Sequence, residues 1–117
     1  MVSFDQVYKT MSPKRFHILD MGDKIYGDCL VCELGNLRIL IDGGHPGDHM
    51  AREGFHSIPE QLAKILGPGP FHFDLLVVTH AHSDHIGCLP ALVEQGIITT
   101  EWALVADEDM GFGGGTG

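Results

Sequence analysis

Four side chains of the kinds that bind metals crowd into positions 80 to 85: His80, His82, Asp84 and His85, in the stretch "THAHSDHIG". On an extended chain, residues two apart project to the same side, so His80 and His82 can grip one ion. Asp84 and His85 come just beyond, where the chain turns, and can address a second ion beside the first. Imidazole with carboxylate suits zinc, and also iron or manganese. Two neighbouring ions of this kind hold and activate a bridging water and clamp an ester or phosphoester oxygen. A polar loop that merely caps a strand would explain a lone histidine. It explains H-x-H-x-D-H after a buried strand much less well.

The elements that must position these residues are legible on either side. "FDLLVVT" is a nearly continuous apolar, β-branched run, suited to a strand buried on both faces, and it delivers the motif. Pro90 starts a short helix to Gln95, with Gly96 at its C-terminal cap. "WALVA", Trp102 to Ala106, is a further strand. Upstream, Arg15–Met21 and Asp28–Leu34 read as strands. Gly35-Asn36 is a two-residue turn, and Leu37–Ile41 is the third strand of an antiparallel meander. A Gly- and His-rich loop follows, and Ser57 opens a helix. Ser57 and Glu60 form a capping box, Pro59 sits in the first turn, and Ile58, Leu62, Ile65 and Leu66 share a face. Gly67 and the "GPGP" break end it. Strand, helix, strand, helix, strand implies an α/β class with a mixed sheet, part of it parallel.

The chain has 117 residues, 44% of them hydrophobic, and a net charge of −9. That is the size and composition of one folded domain. Without a basic stripe, nucleic-acid binding by charge alone is not supported. A phosphate substrate is still compatible, because bound dications reverse the sign locally. No apolar run approaches a membrane span, and the first residues lack a signal peptide's apolar core. Three cysteines fit a reducing compartment better than a disulfide framework, so a cytoplasmic location is expected.

"THAHSDHIG" resembles the H-x-H-x-D-H motif of the metallo-β-lactamase superfamily, and "ILIDGG" resembles that family's earlier motif, in which an aspartate ends a strand beneath the metal site. "ILDMGDKIYGDCLVCELGNLRILIDGG" together with "FDLLVVTHAHSDHIGCLPAL" looks most like the competence-protein (ComEC-like) branch. The resemblance covers residues 15 to 106, the N-terminal αβ half of the family's four-layer αββα sandwich. It implies a hydrolase in which a metal-bound hydroxide attacks an ester, thioester, lactam or phosphodiester bond. His80 and His82 would bind the first metal, and Asp84 and His85 the second, with zinc expected in both sites. Asp84 could also take a proton from the attacking water if only one site is filled. Asp42 would orient the ligands through hydrogen bonds. Thr79 and Gly87 would be structural, Gly87 letting the backbone turn tightly.

The family pattern also needs later ligands, and no histidine follows His85. Asp107 and Asp109 lack the family's flanking residues. The usual fold is roughly twice as long, built from two similar halves. The expectation is therefore a partial domain over residues 1–106, followed by an acidic, glycine-rich tail over 107–117 that reads as disordered or as a truncation end. A half-sandwich exposes an apolar sheet face that something must cover. A fragment of a longer hydrolase, a homodimer imitating the two halves, and a separate partner chain all fit, with truncation favoured. The alternative function is a non-catalytic half-domain that assembles through its exposed sheet and keeps a partial metal site.

His45 and His49 lie in the loop after Asp42, which leaves the sheet at the metal end. They are candidate substrate contacts or substitute ligands, against the plainer reading of exposed loop histidines. His17, His56 and His72 read as structural or solvated. Cys29 and Cys32 form C-x-x-C, but within a strand they face opposite ways and cannot share a metal. Cys88 reads as a packing residue close enough to the site to be prone to oxidation. Trp102 reads as a strand core residue. The glycines flanking "DKIY" make only a weak phosphate-loop signal.

Overall fold

A computed structural model of the chain describes residues 14–22, 27–80 and 83–106, apart from the side chains of Ser83 and Asp84. Five strands form one mixed sheet in the order of the sequence. β1 (Lys14–Ile18), β2 (Leu30–Leu34) and β3 (Leu37–Ile41) make the antiparallel meander. The Gly35-Asn36 turn joins its last two strands, and Gly35 takes the positive φ of 68° that such a turn demands. β1 is shorter than expected. After Ile18 the Asp20 carboxylate accepts from the amide of Gly22 at 2.8 Å, a local turn that competes with the ladder.

α1 (Ile58–Leu66) carries the chain across to β4 (Phe71–Val78), which runs parallel to β3. The capping box is present: Ser57 Oγ accepts from the amide of Glu60, and Glu60 Oε1 accepts from the amide of Ser57, both at 3.2 Å. A short turn of helix, α2 (Ser83–Ile86), and α3 (Leu89–Glu94) lead to β5 (Ile98–Val105), parallel to β4. β4 and β5 both begin earlier than their apolar runs suggest. The pairings Phe71 with Ile98 and His72 with Thr99 extend the ladder beyond the hydrophobic pattern. No helix among the described residues is long and apolar enough to cross a membrane.

The two faces of the sheet follow from the register, since paired residues share a face. On one face Val31, Leu40, Leu76 and Val78 pack with Ile58 and Leu62 of α1 and with Leu89 and Leu92 of α3 in a single buried cluster. The other face carries two unbroken apolar rows across all five strands. One is Phe16, Cys32, Ile39, Leu75, Trp102. The next is Ile18, Leu30, Ile41, Val77, Leu104. No described element covers these rows, and Trp102 is 75% and Leu104 63% exposed. Trp102 is therefore not a core residue of this layer; it stands on the open face at the sheet's edge.

Candidate metal centre

β3 and β4 are parallel neighbours, so their C-terminal ends deliver Asp42 and Thr79 side by side. Asp42 N–H donates to Val77 O at 2.8 Å. Asp42 is 2% exposed. It takes a φ of +62°, a conformation that costs a non-glycine residue energy and persists only where its surroundings enforce it. Those surroundings are the site. Asp42 Oδ1 accepts from the amide of Thr79 at 2.8 Å, and Oδ2 accepts from the Thr79 hydroxyl at 2.6 Å and from His85 Nδ1 at 3.0 Å.

This knot places the Nδ1 proton of two imidazoles. A carboxylate only accepts, so His85 carries its proton on Nδ1. The Thr79 hydroxyl spends its hydrogen on Asp42 and so accepts from His80 Nδ1, 3.1 Å away. In the neutral form of either ring Nε2 then carries the lone pair that metal ligation requires. The ring centroids are 4.8 Å apart. The donor set therefore fits a metal ion by its chemistry. Asp28 joins the cluster: Asp28, Asp42 and His85 each offer a ligand-type atom, all within 4.8 Å of one another. Asp28 Oδ2 lies 4.0 Å from His85 Nδ1. Sequence reasoning missed Asp28, which precedes β2 and reaches the site only because the meander brings that strand beside β3. Its single advance signal was an acidic residue at a strand start. His82 lies outside the described residues, as does the side chain of Asp84.

The backbone beneath the site is held by glycine contacts. Gly43 N–H donates to His85 O at 2.6 Å, and Cys88 N–H to Gly43 O at 3.2 Å. A Cβ on Gly87 would stand 2.2 Å from Gly44 O and 2.3 Å from Gly43 O, and its φ is +51°. No side chain fits there. Gly87 thus does more than turn the chain: it lets the motif loop lie directly on the Asp42-Gly43-Gly44 backbone. Cys88 Sγ reaches Gly43 O at 3.4 Å and is fully buried. Burial first, then the Asp48 charge, pushes the Cys88 thiol up to about 12. It stays a protonated packing group and is not oxidation-prone, contrary to what its nearness to the motif suggested. Cys29 and Cys32 are free and buried. Cys29 belongs to the covered core and Cys32 to the open face, so they share neither a bond nor a metal.

The loop histidines part company. His45 Nδ1 lies 3.0 Å from Asp48 Oδ2, whereas His49 Nδ1 donates to Pro46 O within its own loop at 3.1 Å. His17 pairs with Glu33 at 2.9 Å, His72 bonds Thr99 at 2.8 Å, and His56 lies 3.7 Å from Glu60. All three are occupied away from the cluster.

Comparison with known families gives a match to the Metallo-beta-lactamase superfamily over residues 22–113. The matched span contains every residue of the knot.

Proposed function

Because the chain belongs to the metallo-β-lactamase superfamily, we propose that it forms the metal-binding half of a metal-dependent hydrolase acting on an ester or phosphodiester. The observation that carries this reading is the Asp42–Thr79 knot, which engages Nδ1 of both His80 and His85, the arrangement in which Nε2 is the ligating nitrogen. His80 and His82 hold the first ion, and Asp84 and His85 the second; zinc is the expected metal, with iron or manganese as alternatives. When bound, such ions lower the pKa of a water and draw charge from the scissile oxygen. Asp42 keeps both rings in the ligating tautomer, and Asp28 adds negative charge beside them. With one site filled, Asp84 would be the residue to accept the water's proton. The likeness of residues 15 to 106 to the ComEC-like branch favours a phosphodiester. Three free cysteines accord with a cytoplasmic setting.

The open face belongs to the same reading. Its two apolar rows accept a second αβ half, which also brings the remaining ligands, from the same polypeptide or from a second copy of this chain. The exposure of Trp102 and Leu104 also supports a second reading, a non-catalytic half-domain that assembles through this face and keeps only a partial site.

Metal content separates the two. Elemental analysis of tag-free protein, desalted after zinc loading, should give close to two ions per chain, and His80→Ala and His85→Ala should each reduce it. A value near zero, or variants that retain metal as the parent does, removes the hydrolase reading for this chain. Light scattering at several concentrations then shows whether two copies supply the second half.

A further inference from the structure

We infer that His45, held by the buried carboxylate of Asp48, is the residue that hydrogen-bonds the reacting oxygen of the substrate at the rim of the metal centre. The inference rests on the hydrolase reading above and extends it to the substrate side of the site.

Asp48 is 0% exposed, in the middle of a loop. A charge out of water needs compensation by donors that converge on it. Oδ2 accepts from the His45 amide at 2.8 Å and from His45 Nδ1 at 3.0 Å, and Oδ1 accepts from Arg52 at 2.9 Å. The loop backbone is separately tied, by Asp48 N–H to His45 O at 3.0 Å and by Ile58 N–H to Asp48 O at 2.9 Å. Arg52 already balances the charge and the backbone already fixes the loop. What the His45 ring gains from Asp48 is orientation.

That orientation has a chemical result. The carboxylate accepts from Nδ1, which places the ring proton there and leaves Nε2 as the acceptor nitrogen. Among the described residues Nε2 has no hydrogen-bond partner, and the side chain keeps 15% of its surface exposed. The ring rests on Gly27: a Cβ there would stand 2.5 Å from His45 Cε1 and 2.9 Å from Nε2. The next residue is Asp28, which groups with Asp42 and His85, and its carbonyl accepts from Gly44 N–H at 2.9 Å. His45 therefore stands one residue from the cluster at the same end of the sheet. It is outside the group of ligand atoms lying within 4.8 Å of one another, which suits a substrate contact better than a ligand. His49, spent on Pro46 O, has no such position.

The test titrates inorganic phosphate into the zinc-loaded, 15N-labelled full chain. Calorimetry gives the affinity, and the histidine ring nitrogens are followed by NMR. His45 should carry its proton on Nδ1, and its Nε2 resonance should move when phosphate binds. His45→Gln should weaken phosphate binding about tenfold or more, the worth of a charge-assisted hydrogen bond, with zinc stoichiometry unchanged. Asp48→Asn should weaken it as well by releasing the ring, and His49→Gln should match the parent. His45→Gln alters only a part-exposed ring, so the test stands even where Asp48→Asn does not fold. Zinc uptake without phosphate binding, an unmoved His45 Nε2, or equal affinity in His45→Gln overturns the inference and leaves the hydrolase reading intact. Failure of the parent to take up zinc overturns both.

Discussion

The two faces of the sheet are built from the same residue types and meet opposite fates. On one, Leu40 is 0% exposed beneath α1 and α3; on the other, Leu104 is 63% exposed. Composition does not separate them: Val31, Leu40, Leu76 and Val78 against Ile39, Ile41, Leu75 and Val77 is apolar against apolar. The difference is what each connection lays on the sheet. Both parallel crossovers, β3 to β4 through α1 and β4 to β5 through α3, pass over the same face, as the fixed handedness of such units requires. The five strands thus put their helices on one side and the candidate metal ligands at one end, and leave a face that no described element covers.

The strongest way to break this comparison is a matched pair of truncations. Leu40→Ala should cost about 2–5 kcal/mol in denaturant melts, the usual range for a buried leucine, whereas Leu104→Ala should cost under about 1 kcal/mol. Comparable losses would mean that the open face is covered in solution, and the Leu104→Ala loss should then grow with protein concentration.

Acid tests what locks the covering helix in place. Burial alone would raise the Asp48 pKa, but the His45 amide, the Arg52 guanidinium and the His45 ring outweigh it and hold the carboxyl below its ordinary value. The unfolded chain then takes up the proton first as the pH falls. The stabilisation is complete at neutral pH and is lost on acidification below about pH 4, the ordinary carboxylate range. Asp48→Asn should lower neutral stability by about 1–3 kcal/mol and flatten that acid limb. A limb unchanged in the variant would assign the acid sensitivity to another group.

Ser57→Ala sharpens the same point with a smaller effect. Loss of the capping box should cost about 1 kcal/mol, read as a shift in the denaturation midpoint with an unchanged slope. The mildest probe is thiol chemistry. Burial raises the pKa of Cys29, Cys32 and Cys88 alike, but Cys32 alone lies on the open face. Mass spectrometry after a thiol reagent should find Cys32 modified first, with Cys29 and Cys88 inert until the protein unfolds. Simultaneous modification of all three would mean that the covered face opens as readily as the open one.

Much of this was legible from local chemistry. The meander, its Gly35-Asn36 turn and the Ser57–Glu60 cap are short-range features written in turn and capping residues. The nearness of His80 and His85 was legible because they stand close in sequence. The start of β5 was not, because the threonines at its N-terminal end become strand only by pairing with β4. Asp28 was hidden for a related reason: it lies 57 positions from His85 in the chain, and strand pairing alone brings the two together.

By itself the sequence determined the class of the fold, the clustering of metal-type side chains and the positions of the caps and turns, because each depends on neighbours within a few residues. Only the tertiary structure decided how those side chains are oriented. Asp42, Thr79, His80 and His85 become one hydrogen-bonded unit because β3 and β4 end together. Gly87 must lack a side chain because another loop's backbone occupies that space. The tertiary structure also separated His45 from His49, two histidines of the same loop. One is aimed by a buried carboxylate and the other returns to its own backbone, a difference set by where the loop folds and not by the residue type.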